Sequence, residues 1–425
     1  MKIVLIRPRP HKDTIGLQSV MICEPLELMT LKSVLEKNGH DVIILDMIIE
    51  NRSLEYFIEN LHPDLVGITG YISHVGIIKN YASTIKRFGR RIKVVVGGVH
   101  AEVCPEDFVS EDIDLIAKTP ADFYKFAGCD NILPEFPNRE LPERYRKKYY
   151  YMFHRNCALI KTSVGCPYNC NFCFCKEIAP YKARKIDDVI AEIETIPQKE
   201  VYIVDDDFLF NKDRLMEFAD KLQEKNIDKK YLVYGRADFI AGNEDVIKRL
   251  SEVGLRAVIV GLEAASQSEL DEYGKKTKLS DNADAVKILQ KYGIECYATI
   301  ILKVEWEKKD FDNLYNFLKE LDIVFVNLQP FTPMPHTPYF DEYKDELLIT
   351  YSEIHKWDMA HLVVKPRNIS VRKFYTETMK LYYKLMVNPS KAVYMIRKYG
   401  LRDTMKLSGG SARIAWQYFL KILQG

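Results

Sequence analysis

The sequence predicts an α/β protein: a doubly wound parallel sheet, then a partial (β/α)6 barrel, then a helical C-terminal extension. Three observations carry this reading. Short apolar runs alternate with helix-length amphipathic runs across residues 1–127. Prolines and aromatics interrupt that rhythm at 128–155. A second series with six strand candidates fills 156–340. The length of 425 residues leaves room for this organisation, since a domain takes roughly 100–200 residues.

In the first region "KIVLI" is a short buried-strand run. "EPLELMTLKSVLEKNGH" reads as a helix, with Leu26, Met29, Leu31, Val34 and Leu35 gathered on one side and Gly39 as its stop. "DVIILD" is the next strand, "SLEYFIENLH" a helix, "DLVGITGY" the third strand and "HVGIIKNYASTIKRFG" a helix. "KVVVGGVH" and "DLIAK" complete the set. Strands separated by helices run parallel, and their ligands sit beyond the strands' C-terminal ends. Thr69, Gly70 and Ser73 fall there after the third strand, and Gly97, Gly98 and His100 after the fourth. Glycine lets a backbone approach a ligand closely. Gly97 and Gly98 equally suit a tight strand-to-helix turn. The usual glycine-rich signatures of dinucleotide and nucleoside-triphosphate sites are absent.

Residues 128–155 read as an interdomain linker, punctuated by Pro134, Pro137 and Pro142. Within it "RYRKKYYYMFHR" mixes base and ring, which suits aromatic packing wedges. From residue 158 the strand candidates are "ALIKTSV", "EVYIVDDD", "YLVYGR", "AVIVGLE", "CYATIIL" and "IVFVNLQ". "KDRLMEFADKLQEKN" and "NADAVKILQKYG" are helices between them. Barrel chemistry gathers at the C-terminal mouth of the strands. Asp205, Asp206, Asp207, Arg236, Glu263 and Gln329 fall at those ends. In the extension, residues 341–425, "YSEIHKWDMAHLVV" and "VRKFYTETMKLYYKLM" read as helices.

The apolar run that opens the chain meets Arg7 and Pro8 at once, unlike a signal peptide, so an intracellular, cytoplasmic protein is expected. Its cysteines are then expected to bind metal or do redox chemistry rather than form disulfides. Four of the nine lie in "GCPYNCNFCFC", residues 165–175. Cys166, Cys170 and Cys173 form C-x3-C-x2-C just after the first barrel strand. Thiolates suit iron–sulfur clusters and zinc. A structural zinc site wants four protein ligands, usually as two separated pairs, and no second pair follows. Three close ligands instead fit a cuboidal cluster with one iron left open.

With Phe172 in the aromatic slot, this triplet resembles the signature of radical S-adenosylmethionine (SAM) enzymes. The resemblance implies a [4Fe–4S] cluster on Cys166, Cys170 and Cys173, with SAM gripping the open iron. It implies a 5′-deoxyadenosyl radical that abstracts hydrogen, and an electron donor such as flavodoxin or ferredoxin. "VDDDF" resembles the segment that reaches SAM's amine, which puts Asp206 there. "VGLEAASQ" resembles the G-x-E motif of the SAM site, carried by Glu263. Arg236 is a candidate for SAM's carboxylate, because a guanidinium matches it in shape. Asp206 as a helix cap, or an Arg236–Glu263 pair, are the structural alternatives. Cys175 lies outside the triplet and reads as a packing thiol. The region "EPLELMTLKSVLEKNGHDVIILD…DLVGITGY…VVVGGVHA" resembles the Rossmann-like cobalamin-binding domain fused ahead of such barrels. The resemblance implies a corrin face lined by Gly70, Ser73, Gly97 and Gly98. The D-x-H-x-x-G motif that supplies a cobalt ligand elsewhere is missing, and His100 is left as a candidate corrin contact.

The implied activity is cobalamin-dependent methylation of a carbon centre. The alternative is a non-methylating radical reaction, such as C–C coupling or rearrangement. The substrate is expected to be a small molecule or a lipid. Charge sorting bears on this. Residues 366–425 hold twelve Lys or Arg against two acids, although the whole chain is only +1. Their mixture with Trp416, Tyr418, Phe419 and Leu420 suits peripheral contact with the inner, anionic membrane surface. Packing on the acidic remainder of the chain is the other reading. No nucleic-acid partner is expected, since the rest of the chain is acidic.

Overall fold

The computed structural model describes residues 1–15, 18, 20–133, 135–386 and 388–424, so Pro134 lies outside the described residues. The chain forms two compact units. The first comprises Met1–Gly16, Glu24–Lys148 and Ile349–His361. The second comprises Leu17–Cys23, Tyr149–Leu348 and Leu362–Gly425.

The first unit holds a parallel five-stranded sheet: β1 (Lys2–Arg7), β2 (Asp41–Asp46), β3 (Leu65–Thr69), β4 (Lys93–Gly97) and β5 (Leu115–Ile116). Their spatial order is β2–β1–β3–β4–β5. Helices α1 (Leu26–Lys37), α2 (Leu54–Leu61), α3 (Val75–Phe88), α4 (Val99–Val103) and α5 (Pro120–Phe126) alternate with them. Ile3, Val4, Leu5 and Ile6 are all fully buried, as a strand covered on both faces requires. Leu28, Met29, Val34 and Leu35 of α1 join Leu5, Val42 and Val95 in the core. This strand order reverses between β1 and β3, so the sheet's ligand crevice opens beyond their C-terminal ends.

The second unit is built on six parallel strands: β6 (Ala158–Ile160), β7 (Glu200–Ile203), β8 (Lys230–Arg236), β9 (Leu255–Glu263), β10 (Glu295–Leu302) and β11 (Phe325–Pro330). Each pairs with the next in sequence, as in a partial barrel. The returning helices include α6 (Ile186–Thr195), α7 (Lys212–Glu224), α8 (Glu244–Glu252), α9 (Leu279–Lys291) and α10 (Lys308–Glu320). The extension adds α11 (Val371–Met386), α12 (Pro389–Tyr399) and α13 (Leu401–Gln424). All eleven strands of the two parallel sheets and the quoted helices "VRKFYTETMKLYYKLM" and "KDRLMEFADKLQEKN" appear where the apolar periodicity places them.

Two stretches differ from the sequence reading. "YSEIHKWDMAHLVV" is not an α-helix. A short 3-10 turn at Tyr351–Lys356 gives way to irregular chain, with Met359 at φ 60°. Asp358 Oδ1 accepts the amides of Ala360 at 3.0 Å and His361 at 2.8 Å, which replaces helical bonding by a side-chain turn. The stretch read as a linker is partly ordered structure. Tyr150–Tyr151 and His154–Arg155 form a hairpin, and Tyr150–Tyr151 also pairs with Met21–Ile22. His154 bonds Glu200, the first residue of β7, at 2.8 Å, and Phe153 stacks on Tyr399 at 3.7 Å. The wedge role of its aromatics is thus visible within the second unit, at the N-terminal end of the barrel strands.

Candidate active site

The cysteine loop leaves β6 through Ser163–Val164, which pairs antiparallel with Lys182–Ala183. Gly165 then takes φ 72°, and a Cβ there would lie 2.3 Å from the Ala179 carbonyl oxygen. Only glycine fits that turn. Cys166, Cys170, Cys173 and Cys175 are all free thiols, half-buried. Asn171 fixes the loop to the chain beyond β9: its amide donates to the Tyr273 carbonyl at 3.0 Å, its side chain to the Glu272 carbonyl at 3.0 Å. Phe172 lies edge-on to Tyr273, with ring centres 5.5 Å apart.

The sulfurs sit in a strongly shaped field. Burial pushes the Cys166 thiol up to about 12. Burial also raises Cys170, against the pull of Lys275 and Arg236. Cys173 is lowered by a hydrogen bond from Cys175, which is itself raised. The single S–H of Cys175 faces two acceptors, the Cys173 sulfur and Asp206 Oδ1 at 3.6 Å. Cys175 therefore supports the loop from within, and sequence spacing alone does not reveal that.

The three aspartates after β7 separate by environment. Asp205 accepts the Thr162 amide at 2.6 Å, the Thr162 hydroxyl at 2.5 Å and the Ser163 hydroxyl at 2.7 Å. It ties β7 to the exit of β6. Asp206 is half-buried and faces Cys175. It caps no helix, because α7 is capped by Asn211. Asp207 is buried; among the described residues no side chain bonds its carboxylate, and only the Leu209 backbone reaches it. Burial pushes its carboxyl up to about 8, although Arg236 pulls the other way.

The Arg236 guanidinium is engaged within the chain: it donates to both oxygens of Asp238 at 3.0 and 3.1 Å, to the Lys275 carbonyl at 2.6 Å, and to the Cys170 sulfur at 3.6 Å. It also lies 3.9 Å from the Tyr168 ring centre. A fork used in this way braces the cysteine loop. Arg236 does not pair with Glu263, whose partner is Lys275 at 3.0 Å. Glu263 sits at φ 61°, where β9 and β10 slip register. Lys275 also donates to the Gly261 carbonyl. A Cβ on Gly261 would meet the Glu263 carboxylate at 2.2 Å, which explains the glycine of the G-x-E motif. Lys275 and Asp238 escape sequence reasoning. The first hides in the charged run "GKKTK", the second beside the more conspicuous Arg236.

In the first unit Thr69 pairs with Gly97, so the loops after β3 and β4 lie side by side. Gly98 has φ 98°, and a Cβ there would lie 2.6 Å from Thr69 Oγ1. A Cβ on Gly70 would meet Ile78 at 2.8 Å and His74 at 2.9 Å. Gly97 has only ordinary contacts. Ser73 is buried, whereas Tyr71 between the loops is 62% exposed. His100 is buried and hydrogen-bonded locally, with Nε2 2.7 Å from Asp107 Oδ2 and its ring edge-on to Phe108.

Comparison with known proteins decides the family. Residues 13–121 match the B12 binding domain, and residues 160–318 match the Radical SAM superfamily. The chain is a radical SAM enzyme with a cobalamin-binding domain. The enzyme is 24% identical to the hopanoid C-3 methylase of Methylococcus capsulatus, across 100% of this chain and 86% of the relative. It is 23% identical to the anaerobic magnesium-protoporphyrin IX monomethyl ester cyclase of Rubrivivax gelatinosus, over 94% and 80% of the two chains. Its fold matches the cobalamin-dependent SAM radical enzyme OxsB, solved with aqua-cobalamin and SAM bound. That match has TM-score 0.68 at 15% identity, covering 99% of this chain and 72% of OxsB.

The cofactors of this radical SAM enzyme are a [4Fe–4S] cluster, SAM and cobalamin. The residues present fit these groups. Three soft donors share one loop, and burial keeps two of them, Cys166 and Cys170, protonated until a cationic centre draws the protons off. The buried Asp207 carboxyl, which no described side chain bonds, suits an ammonium. Exposed Gly98 and Tyr71 leave the C-terminal end of β3 and β4 open to a large flat ligand.

Proposed function

We propose that this enzyme methylates a carbon centre of an apolar, lipid-like substrate, with Cys166, Cys170 and Cys173 as the cluster ligands. The carrying observation is three free, half-buried thiols on one glycine-hinged loop beside a buried carboxyl that no described side chain bonds. When bound, the cluster and SAM supply a carbon radical that abstracts hydrogen, and cobalamin supplies the methyl group. Asp207, with Asp206 next to it, accepts SAM's amine. The Glu263–Lys275 pair shapes the wall below it. Arg236 positions Cys170 through its bond to that sulfur. Gly70, Ser73, Gly97 and Gly98 line the corrin face, and Phe172 packs the cluster loop.

The substrate class rests on α13, whose exposed Leu401, Met405, Trp416 and Leu423 form an apolar outer stripe. Toward the N-terminal end of the strands Tyr202 lies 5.9 Å from Tyr234 and 5.2 Å from Tyr151 by ring centres, and Tyr297 lies 5.2 Å from Phe325, which closes the barrel on the side away from the cysteine loop. A protein electron donor of the flavodoxin or ferredoxin type completes the system. No described helix is long and apolar enough to cross a membrane, so access to a lipid falls to a peripheral element, α13.

The test is direct. Anaerobically reconstituted enzyme, given reductant, SAM and hydroxocobalamin with a lipid extract, should form 5′-deoxyadenosine and S-adenosylhomocysteine together. Deoxyadenosine without S-adenosylhomocysteine would instead support a ring-forming radical reaction, the second reading favoured by the likeness to the cyclase. Formation of neither product overturns both.

A further inference from the structure

We propose that His11, Asp13 and His355 form a binding site for a divalent transition-metal ion of the zinc class. All three belong to the first unit. His11 and Asp13 lie on the loop that leaves β1, and His355 in the segment Ile349–His361. None of them takes part in the chemistry assigned above.

The geometry gathers the donors. The two imidazole rings are 3.9 Å apart by centroid. His11 Nδ1 lies 3.7 Å from Asp13 Oδ2, and His355 Nε2 lies 4.0 Å from that same oxygen. One ligand atom from each residue falls within 4.8 Å of the others. Zinc–nitrogen bonds of about 2.0–2.1 Å put tetrahedral ligand atoms roughly 3.3 Å apart. Both distances to the exposed Asp13 side chain lie within about 1 Å of that spacing.

A further observation points to a ligand. His355 Nε2 is buried and has no hydrogen-bond partner among the described residues. An imidazole nitrogen left in this way costs free energy that a metal bond would recover.

The scaffold beneath is fixed independently of any ion. The Thr14 amide donates to the His11 carbonyl at 3.0 Å, closing a turn. Thr14 Oγ1 donates to the His355 carbonyl at 3.2 Å across 341 residues of sequence. The Ile15 amide donates to Asp358 Oδ2 at 2.7 Å. That oxygen also holds His361 Nδ1 at 2.8 Å. Two imidazoles and one carboxylate are ligands of zinc-type sites, with the fourth position open to water. The ion would clamp the β1 loop to the segment Ile349–His361. The other buried histidine group, His100 with Cys104 and Asp107, is a poorer host. Its histidine and aspartate already bond each other, and Cys104 is pushed up to about 12 by burial.

The experiment is zinc titration by calorimetry on the full-length enzyme, loaded with its cluster and cobalamin so that the cluster thiols are occupied. The expected result is one tight site per chain. It should weaken at least 10–100-fold in both His11→Gln and Asp13→Asn. Both side chains are partly exposed, so these variants should keep the wild-type circular dichroism. Zinc should raise the melting temperature of the wild type but of neither variant. Cys104→Ala, in the rival histidine group, should bind zinc as the wild type does. A loaded wild type that takes up no zinc overturns the site. So does His11→Gln binding with wild-type affinity, or loss of binding in Cys104→Ala in place of the histidine and aspartate variants.

Discussion

Lys275 shows how a single buried charge builds the second unit's site. It is almost fully buried, and its ammonium joins the Gly261 carbonyl to Glu263. Replacing it with Met leaves Glu263 without a counter-charge in a mostly buried setting. Such a break costs about 3–5 kcal/mol, so Lys275→Met should lower the denaturant midpoint and leave its slope unchanged. In the first unit His74 sets a pH response. Burial, then Arg7, lowers its pKa from 6.5 to about 4. The unfolded chain therefore binds the proton more readily. The contribution is complete above pH 6.5 and is lost as pH falls toward about 4. The loss is at most about 3 kcal/mol. His74→Asn should remove that acid-side slope in urea unfolding measured across this range. Residues differ in how visible they are from sequence. The cysteine triplet is legible because cluster ligands sit close together along the chain. Asp238, Lys275 and the burial of Asp207 without a side-chain partner depend on packing between distant segments, and no local pattern encodes them.

The elements most readable from sequence are those whose periodicity is enforced by burial on both faces. β1 and β4 are continuous apolar runs under helices, and α3 carries Val75, Ile78, Ala82 and Ile85 on one buried side. "YSEIHKWDMAHLVV" has enough apolar residues to mimic a helix, but Asp358 captures two backbone donors, and the chain turns instead. Nor does any sequence signal place Ile349–His361 with the first unit. The cysteine loop is an element whose shape rests on one glycine. Gly165→Ala puts a methyl group 2.3 Å from the Ala179 carbonyl at a φ of 72°. Cys166 is the next residue, so relief of the clash must move it. The expected outcome is lower iron and sulfide content per chain after reconstitution. The melting temperature should change far less, because the loop is half-buried and lies outside the strand ladder.

At the scale of the whole molecule, charge is sorted along the chain, and the structure shows how much of it is already used. Lys384 pairs with Asp312, Lys398 with Glu295, Arg367 with Glu305 and Glu346, and Lys373 and Lys380 with Glu377. These pairs serve the second unit's own packing. The pattern changes on α13. Its inner face is held by Tyr418, buried against Tyr375 and Tyr382 at 5.8 and 6.2 Å. Its outer face carries Leu401, Met405, Trp416, Leu420 and Leu423, with Trp416 59% and Leu423 63% exposed. Arg402, Lys406 and Arg413 are also exposed along the helix. An apolar stripe flanked by bases is the composition of an interfacial helix. Each base near an anionic surface contributes about 1 kcal/mol, reduced by salt. Trp416→Ser combined with Leu420→Ser should therefore weaken sedimentation with anionic vesicles about tenfold or more. Folding stability should hold within about 0.5 kcal/mol, since both side chains already face solvent. Binding of the wild type should fall as salt rises and nearly vanish on neutral vesicles. Equal sedimentation of wild type and double variant would assign the stripe to something other than a lipid surface.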